Sequence, residues 1–326
     1  MTRRGFTFVL LALGAYLGSY GLASAADAQS AIPRIGVLTP PVANSPLEEG
    51  LRDGLRELGY IDGKNIVIEW RPSAGTEDDV RSLVTKLARS KMDLIVVYTT
   101  LGVRTALEVT TMPVVFMAGD PVGAGFAASL ARPGGKATGV SIVATELIVK
   151  RLELLRQITP RARQIVYLRN SSNPLAFSQL SEAQEAARTL GLQLLILDAR
   201  NTVELDAALR AVPRSGADAV IVTSDVLFYA NQAKISQAMR SARLPAIFSA
   251  KDWQNVGVLM SYGPRLREAA GRMAIYVNKI LKGADPSELP IDQVSKYELV
   301  IDLRVARELG IKVPQDLLLR ADEVIR

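Results

Sequence analysis

The chain has 326 residues, 48% of them hydrophobic, enough to bury cores in two compact domains rather than one. With no Cys and no His, it forms no disulfide, no lipid-modified cysteine, no Cys/His zinc site and no Ser-His-Asp triad. The formal charge of +6 is interspersed with acidic residues, as in Glu48 to Arg56 and Arg265 to Arg272, and no Lys/Arg run offers nucleic acid a phosphate-tracking stripe.

The chain opens with a basic Met1 to Arg4, an apolar Phe6 to Leu22 and the small-x-small triplet Ala23-Ser24-Ala25. That order reads as a signal peptide over residues 1–25, cut near Ala25, with the mature protein in the periplasm. A membrane anchor is the alternative reading, but the apolar stretch is interrupted by glycines and marginal for a bilayer that needs about 20 residues. Thr2-Arg3-Arg4-Gly5-Phe6 also resembles a twin-arginine motif, so the export route stays open. Loss of Arg3 and Arg4 leaves 37 basic residues against 33 acidic ones.

After Pro33, Arg34 to Thr39 is a short apolar strand, and Ser45-Pro46-Leu47-Glu48 carries an N-cap, a proline at the first helical position and a capping-box acid. Leu47, Leu51, Leu55 and Leu58 then mark the apolar face of a helix that stops at Gly59. Ile66 to Trp70 is a second strand, Thr76 begins a second helix, and Asp93 to Tyr98 holds the continuous apolar run of a buried parallel strand. Strands alternating with helices imply right-handed βαβ units.

The same order returns downstream, with strands at Gln164 to Arg169 and Leu192 to Leu197 around a helix that ends at Gly191. Leu58-Gly59-Tyr60 matches Leu190-Gly191-Leu192, and Met112-Pro113-Val114-Val115-Phe116 matches Leu244-Pro245-Ala246-Ile247-Phe248, both at an offset of 132. Asp93 to Val97 matches Asp218 to Val222 at an offset of 125, which fits a shorter second connection. The expected fold is therefore α/β, with two Rossmann-like lobes of parallel sheet. Ligands of open α/β sheets sit beyond the carboxyl ends of the strands. Two such sheets facing each other put Thr39, Thr99, Thr100 and Ala118 to Asp120 on one wall of a cleft, and Asn170, Thr223 to Asp225 and Ser249 to Asp252 on the other.

Several blocks in fixed order carry a family likeness: Arg34-Ile35-Gly36-Val37-Leu38, Gly119-Asp120-Pro121-Val122-Gly123-Ala124-Gly125, Ser129 to Gly135, Lys150-Arg151-Leu152-Glu153-Leu154-Leu155, Leu259 to Pro264 and Leu318 to Ile325. Together they resemble the ABC transporter substrate-binding family that includes tryptophan/tyrosine-type uptake proteins, over essentially the whole mature chain. The resemblance implies a type I periplasmic-binding fold with a three-crossover hinge, an amino acid or related small molecule as ligand, an ABC permease as partner, no cofactor and no enzymatic activity. The crossovers are expected near Gly139 to Thr145, Tyr262 to Arg265 and Leu289 to Val294. Lobe 1 then comprises 33–140 plus 263–290, and lobe 2 comprises 141–262 plus 291–326, in a monomer.

The candidate ligand contacts are Thr39, Thr99, Thr100, Asp120, Asn170, Asn173, Ser224, Asp225, Ser249 and Tyr262. Thr99 and Thr100 end a buried strand and start a helix, so their hydroxyls and the free helix N–H groups suit a carboxylate, although either threonine also reads as a plain N-cap. Asp225 ends the corresponding strand of the other lobe and suits an ammonium group. Asp120 before Pro121, and Asn170 and Asn173 before Pro174, also carry ordinary turn chemistry. Trp253, Tyr262 and Phe228 are the aromatics nearest the cleft, read as stacking on a ligand ring or as packing the hinge. Two further readings are a cleft enzyme that uses Asp120 and Asp225 as an acid–base pair, and a ligand-sensing receptor for a signalling partner.

Overall fold

The computed structural model describes residues 32–42, 44–142, 144–251 and 256–326. The leader at 1–25, Asp252 of the expected second wall and the aromatic Trp253 lie outside the described residues. Strands β1 (Arg34–Thr39), β2 (Val67–Pro72), β3 (Leu94–Val97), β4 (Val114–Gly119) and β5 (Ala137–Ile142) precede β6 (Gln164–Arg169), β7 (Gln193–Asp198), β8 (Ala219–Val222), β9 (Ala246–Phe248) and β10 (Met260–Pro264). Short strands β11 (Asp292–Gln293), β12 (Tyr297–Asp302) and β13 (Glu323–Ile325) complete the described set. They form two sheets, ordered β11-β5-β4-β3-β1-β2 and β13-β12-β10-β9-β8-β6-β7.

All described pairings are parallel except β10 with β12. Strand β12 runs the other way because the chain has just come back from the first lobe and enters the second sheet at its cleft end. Each sheet is buried on both faces, and side-chain alternation sorts its residues between two cores. Leu94 and Val96 meet the helices Pro46–Glu57 and Leu266–Leu281, while Ile95 and Val97 face the opposite core with Val80, Val84 and Leu101. The expected inward Leu58 caps the first helix instead and is 39% exposed.

The repeat has a physical basis. Asp93 Oδ2 accepts from the Arg34 N–H at 2.7 Å, and Asp218 Oδ2 accepts from the N–H groups of Arg163 and Gln164 at 2.7 and 2.9 Å. In both lobes a strand-entry carboxylate thus pins the start of the neighbouring central strand. The carbonyls of Pro113 and Pro245 accept from Ile95 and Val220 at 3.0 and 2.9 Å, the same ladder bond in each sheet. Gly59 and Gly191, at φ of +87° and +66°, let Tyr60 and Leu192 bond back to Leu55 and Ala187.

Three crossovers join the lobes. Strand β5 stays in the first sheet through Ile142, β10 stays in the second through Pro264, and β11 returns to β5 through Gln293. Each strand keeps its ladder bonds for two or three residues past the breaks expected after 140, 262 and 290, because a paired backbone has no reason to leave the sheet. The helix Leu266–Leu281 packs on Pro46–Glu57 and on β4 and β5 of the first sheet.

That helix pair approaches closely through glycine. A Cβ on Gly50 would stand 2.1 Å from the Arg267 carbonyl oxygen, and one on Gly54 2.5 Å from that of Gly271. Gly50→Ala is therefore expected to cost about 1–3 kcal/mol, read as a lower urea midpoint, through overpacking against rigid backbone. Gly271→Ala, whose Cβ meets only the Gly50 oxygen at 3.4 Å, is expected to stay near the wild-type midpoint.

Candidate functional site

A cavity of about 140 Å³ lies between the lobes at the carboxyl ends of both sheets. Of the ten candidate residues, Thr99, Thr100, Asn173, Ser224, Asp225 and Ser249 line it. Between them stands an apolar surface that includes Leu47, Tyr98, Met117 and Ile142 on the first lobe and Leu175 and Tyr229 on the second. At its edge Gly75, at φ +79°, meets the second lobe so closely that a Cβ there would stand 1.9 Å from Val226 Cγ1.

The first-lobe polar groups come from the start of the helix Thr100–Val109. Thr99 is its N-cap, its Oγ1 accepting from the Gly102 N–H at 2.8 Å. The Thr100 hydroxyl makes no hydrogen bond among the described residues, although Thr100 is only 5% exposed. A hydroxyl and a helix N-terminus therefore open together on the cavity, a combination that receives an anion.

The second-lobe centre is Asp225, which caps the short helix Val226–Ala230. Its Oδ1 accepts from Asn170 Nδ2 at 3.1 Å and from the Leu227 N–H at 3.0 Å, and its Oδ2 accepts from Asn173 Nδ2 at 3.0 Å. The asparagines are held in turn, because their Oδ1 atoms accept from the N–H groups of Ser172 and Leu175. The residue keeps a partial opening to the cavity, while dense protein around the carboxyl pushes its pKa up, against the three donated hydrogen bonds that lower it. Among the described residues no cation pairs with it. One carboxylate amid apolar walls suits an organic ammonium group, since Ca²⁺ takes about six to eight oxygens.

Four candidates lie elsewhere. Thr39 lines a smaller adjoining pocket with Ser73 and Val226. Asn170 is buried behind Asp225 and acts through it. Asp120, at φ +35°, accepts from the Gly123 N–H at 2.9 Å and closes a turn outside the described lining, so the acid–base pair with Asp225 does not converge. Tyr262 packs its ring 6.1 Å from that of Tyr297, across two crossover strands. Phe228 is fully buried in the core of the second lobe.

Two residues escaped the sequence reading. Arg151 is 2% exposed on a helix stripe with Leu147, Leu154 and Ile158, and donates from Nε to the Tyr262 carbonyl at 2.8 Å and from Nη2 to that of Ser249 at 3.3 Å. Burial pulls its pKa down to about 10, so it stays charged at neutral pH while tying the cavity wall to a crossover strand. A cation on an apolar helical stripe was the visible signal. Gln179, 6% exposed and also lining the cavity, gave a weaker one as a polar residue in register with Ala176 and Ala183.

The chain belongs to the family described as ABC transporter substrate binding protein, whose pattern matches residues 42–325. A tyrosine-binding protein of Clostridioides difficile is 26% identical over 270 residues, 81% of this chain and 76% of the relative. The crystal structure of an ABC domain from Streptococcus pneumoniae in complex with L-Trp superposes with a TM-score of 0.82 at 28% identity, covering 90% of this chain and 100% of that one. A conserved domain protein from Vibrio cholerae gives the same TM-score and coverage at 25% identity. The protein is thus a substrate-binding protein of ABC transport with a type I periplasmic-binding fold.

If Asp120 serves its turn and not a ligand, geometry matters there and charge does not. Asp120→Asn, which keeps the acceptor and tolerates the left-handed backbone, is expected to unfold in urea like the wild type. Asp120→Ala should lose about 1–2 kcal/mol from the missing bond and the strained φ. Equal losses in both variants would assign the charge a role.

Proposed function

We propose that this protein is an exported, monomeric receptor that closes its lobes over a free amino acid, aromatic ones foremost, and delivers it to an ABC permease in the inner membrane. The observation that carries this reading is the pairing of opposite polarities across the cavity. Asp225 offers a carboxylate with no cation of its own on one lobe, while Thr100 and the start of its helix offer donors on the other. An amino acid carries the complementary pair of charges, its ammonium meeting Asp225 and its carboxylate meeting Thr99, Thr100 and the helix N-terminus. Bound in that way it contacts both lobes and stabilises the closed state by its differential affinity. The apolar walls suit a large side chain, in keeping with the tyrosine-binding and L-Trp-bound relatives.

Calorimetric titration with tyrosine and tryptophan tests the polarity. Asp225→Ala is expected to bind about 30-fold or more weakly, the typical consequence of removing one partner from a desolvated charged contact. The wild type should also respond to pH. The ammonium needs Asp225 ionised, and burial raises the pKa of that carboxyl. Affinity should therefore fall by about tenfold per pH unit once pH drops below the raised pKa, and rise to a plateau above it. A flat profile, or near-wild-type affinity in Asp225→Ala, would sink the assignment.

Export rests on the basic start, the apolar stretch and Ala23-Ser24-Ala25. Mass spectrometry of the periplasmic protein should find an amino terminus at Ala26 or just after Ala28. Full-length chain in the membrane fraction would refute that localisation.

A further inference from the structure

Gln179 lies in the first turn and a half of the helix Ala176–Thr189, on the face it shares with the buried Ala176, Ala183 and Ala187. That face packs against the helix Ala144–Ile158, where small side chains are the rule. Gln179 breaks the rule with a long polar side chain that is 6% exposed and lines the interlobe cavity. Its backbone N–H is spent on the Leu175 carbonyl at 3.0 Å. Its side-chain amide makes no hydrogen bond among the described residues. The amide atoms are not among the polar atoms sealed from solvent without a partner, so they open on the cavity, and a ligand that fills it must supply the bond it takes from water.

Position separates this amide from the charged end of the site. Asn173 is bonded to Asp225, Leu175 follows with an apolar side chain on the cavity, and Gln179 comes one helical turn later. Four residues of helix amount to about 6 Å along its axis. Gln179 thus lines the cavity about one helical turn past Leu175, whose apolar side chain comes between it and Asn173 along the chain.

Building on the amino-acid reading, we infer that Gln179 is the side-chain specificity residue of this receptor: its amide hydrogen-bonds the donor group of an aromatic ligand, a phenol hydroxyl or an indole N–H. The carboxamide oxygen accepts from either donor, and its NH₂ can donate back to a phenol oxygen. A ring without a donor fills the same volume but leaves the amide unsatisfied, which a closed, desolvated site penalises.

The test compares tyrosine, tryptophan and phenylalanine by calorimetry on the wild type and on Gln179→Met, an unbranched apolar replacement of similar length. Gln179→Leu serves as a second variant should the first not fold. The wild type is expected to bind tyrosine or tryptophan at least about tenfold tighter than phenylalanine, and the variant to bring that ratio within about threefold by losing affinity for the donor-bearing ligand alone. Ligand-free Gln179→Met should melt near the wild-type temperature, since the amide it removes holds no hydrogen bond within the fold. Unchanged discrimination in the variants, or equal wild-type affinity for all three, would overturn the role of Gln179 and leave the receptor reading standing. No binding of any of the three to the wild type would overturn both.

Discussion

A half-buried carboxylate without a cation is the constraint around which the second lobe is organised. Asp225 follows β8 by three residues as the cap of the next helix, and its charge is held only by two asparagine amides and one backbone N–H. Asn170 follows the end of β6, which pairs in parallel with β8, so the sheet itself sets the distance between amide and carboxylate. Asn173 belongs to the turn that launches the next helix and is fixed by its own bond to Leu175. Neutral donors lower the cost of burying an anion but do not neutralise it. The site therefore holds electrostatic attraction in reserve for a cationic group that arrives from outside.

The two lobes solve one problem twice. Each must start its central strand at a fixed height so that the opposite ends reach the cleft, and each does so with a carboxylate that accepts N–H groups at the strand entry. Asp218 is exposed and makes two such bonds, which hold its carboxyl below the usual range against a smaller opposing desolvation. Asp225, at the other end of the same strand, is pushed the opposite way by its surroundings. The same residue type thus anchors the sheet at one end and serves the site at the other, the difference lying in desolvation.

The crossovers connect cavity and hinge through Arg151. Its guanidinium bridges the carbonyls of Ser249, on the cavity wall, and Tyr262, two residues before the Pro264 that ends β10. A planar fork of donors suits two backbone acceptors at an angle better than a point charge does. Gly263 completes the arrangement, since a Cβ there would stand 1.7 Å from the Ser249 oxygen. The cavity wall at Ser249 and the strand that leads into the other lobe are thus held in direct contact.

The local order of strands, helices, caps and breaks was legible in the residues because each signal acts within a few positions. Continuous apolar runs marked buried parallel strands, Ser45 and Thr76 capped helices where they were read, and Gly59 and Gly191 ended helices through the left-handed backbone that glycine adopts freely. The repeat and the strand-end rule pointed to Thr99, Thr100, Ser224, Asp225 and Ser249, and the turn before Pro174 to Asn173, all of which line the cavity. Which of the remaining polar residues face it was a matter of side-chain direction and of partners 3 to 55 positions away, and that the tertiary structure decided. Asp120 turned to Gly123, Tyr262 to Tyr297, and Asn170 to Asp225, because each found a partner in the fold that satisfied it. Gln179 and Arg151 sat on apolar helical faces and read as exceptions to a pattern. Their meaning came from what surrounds them in space, since a buried polar group is defined by the presence or absence of a partner and sequence spacing does not report that.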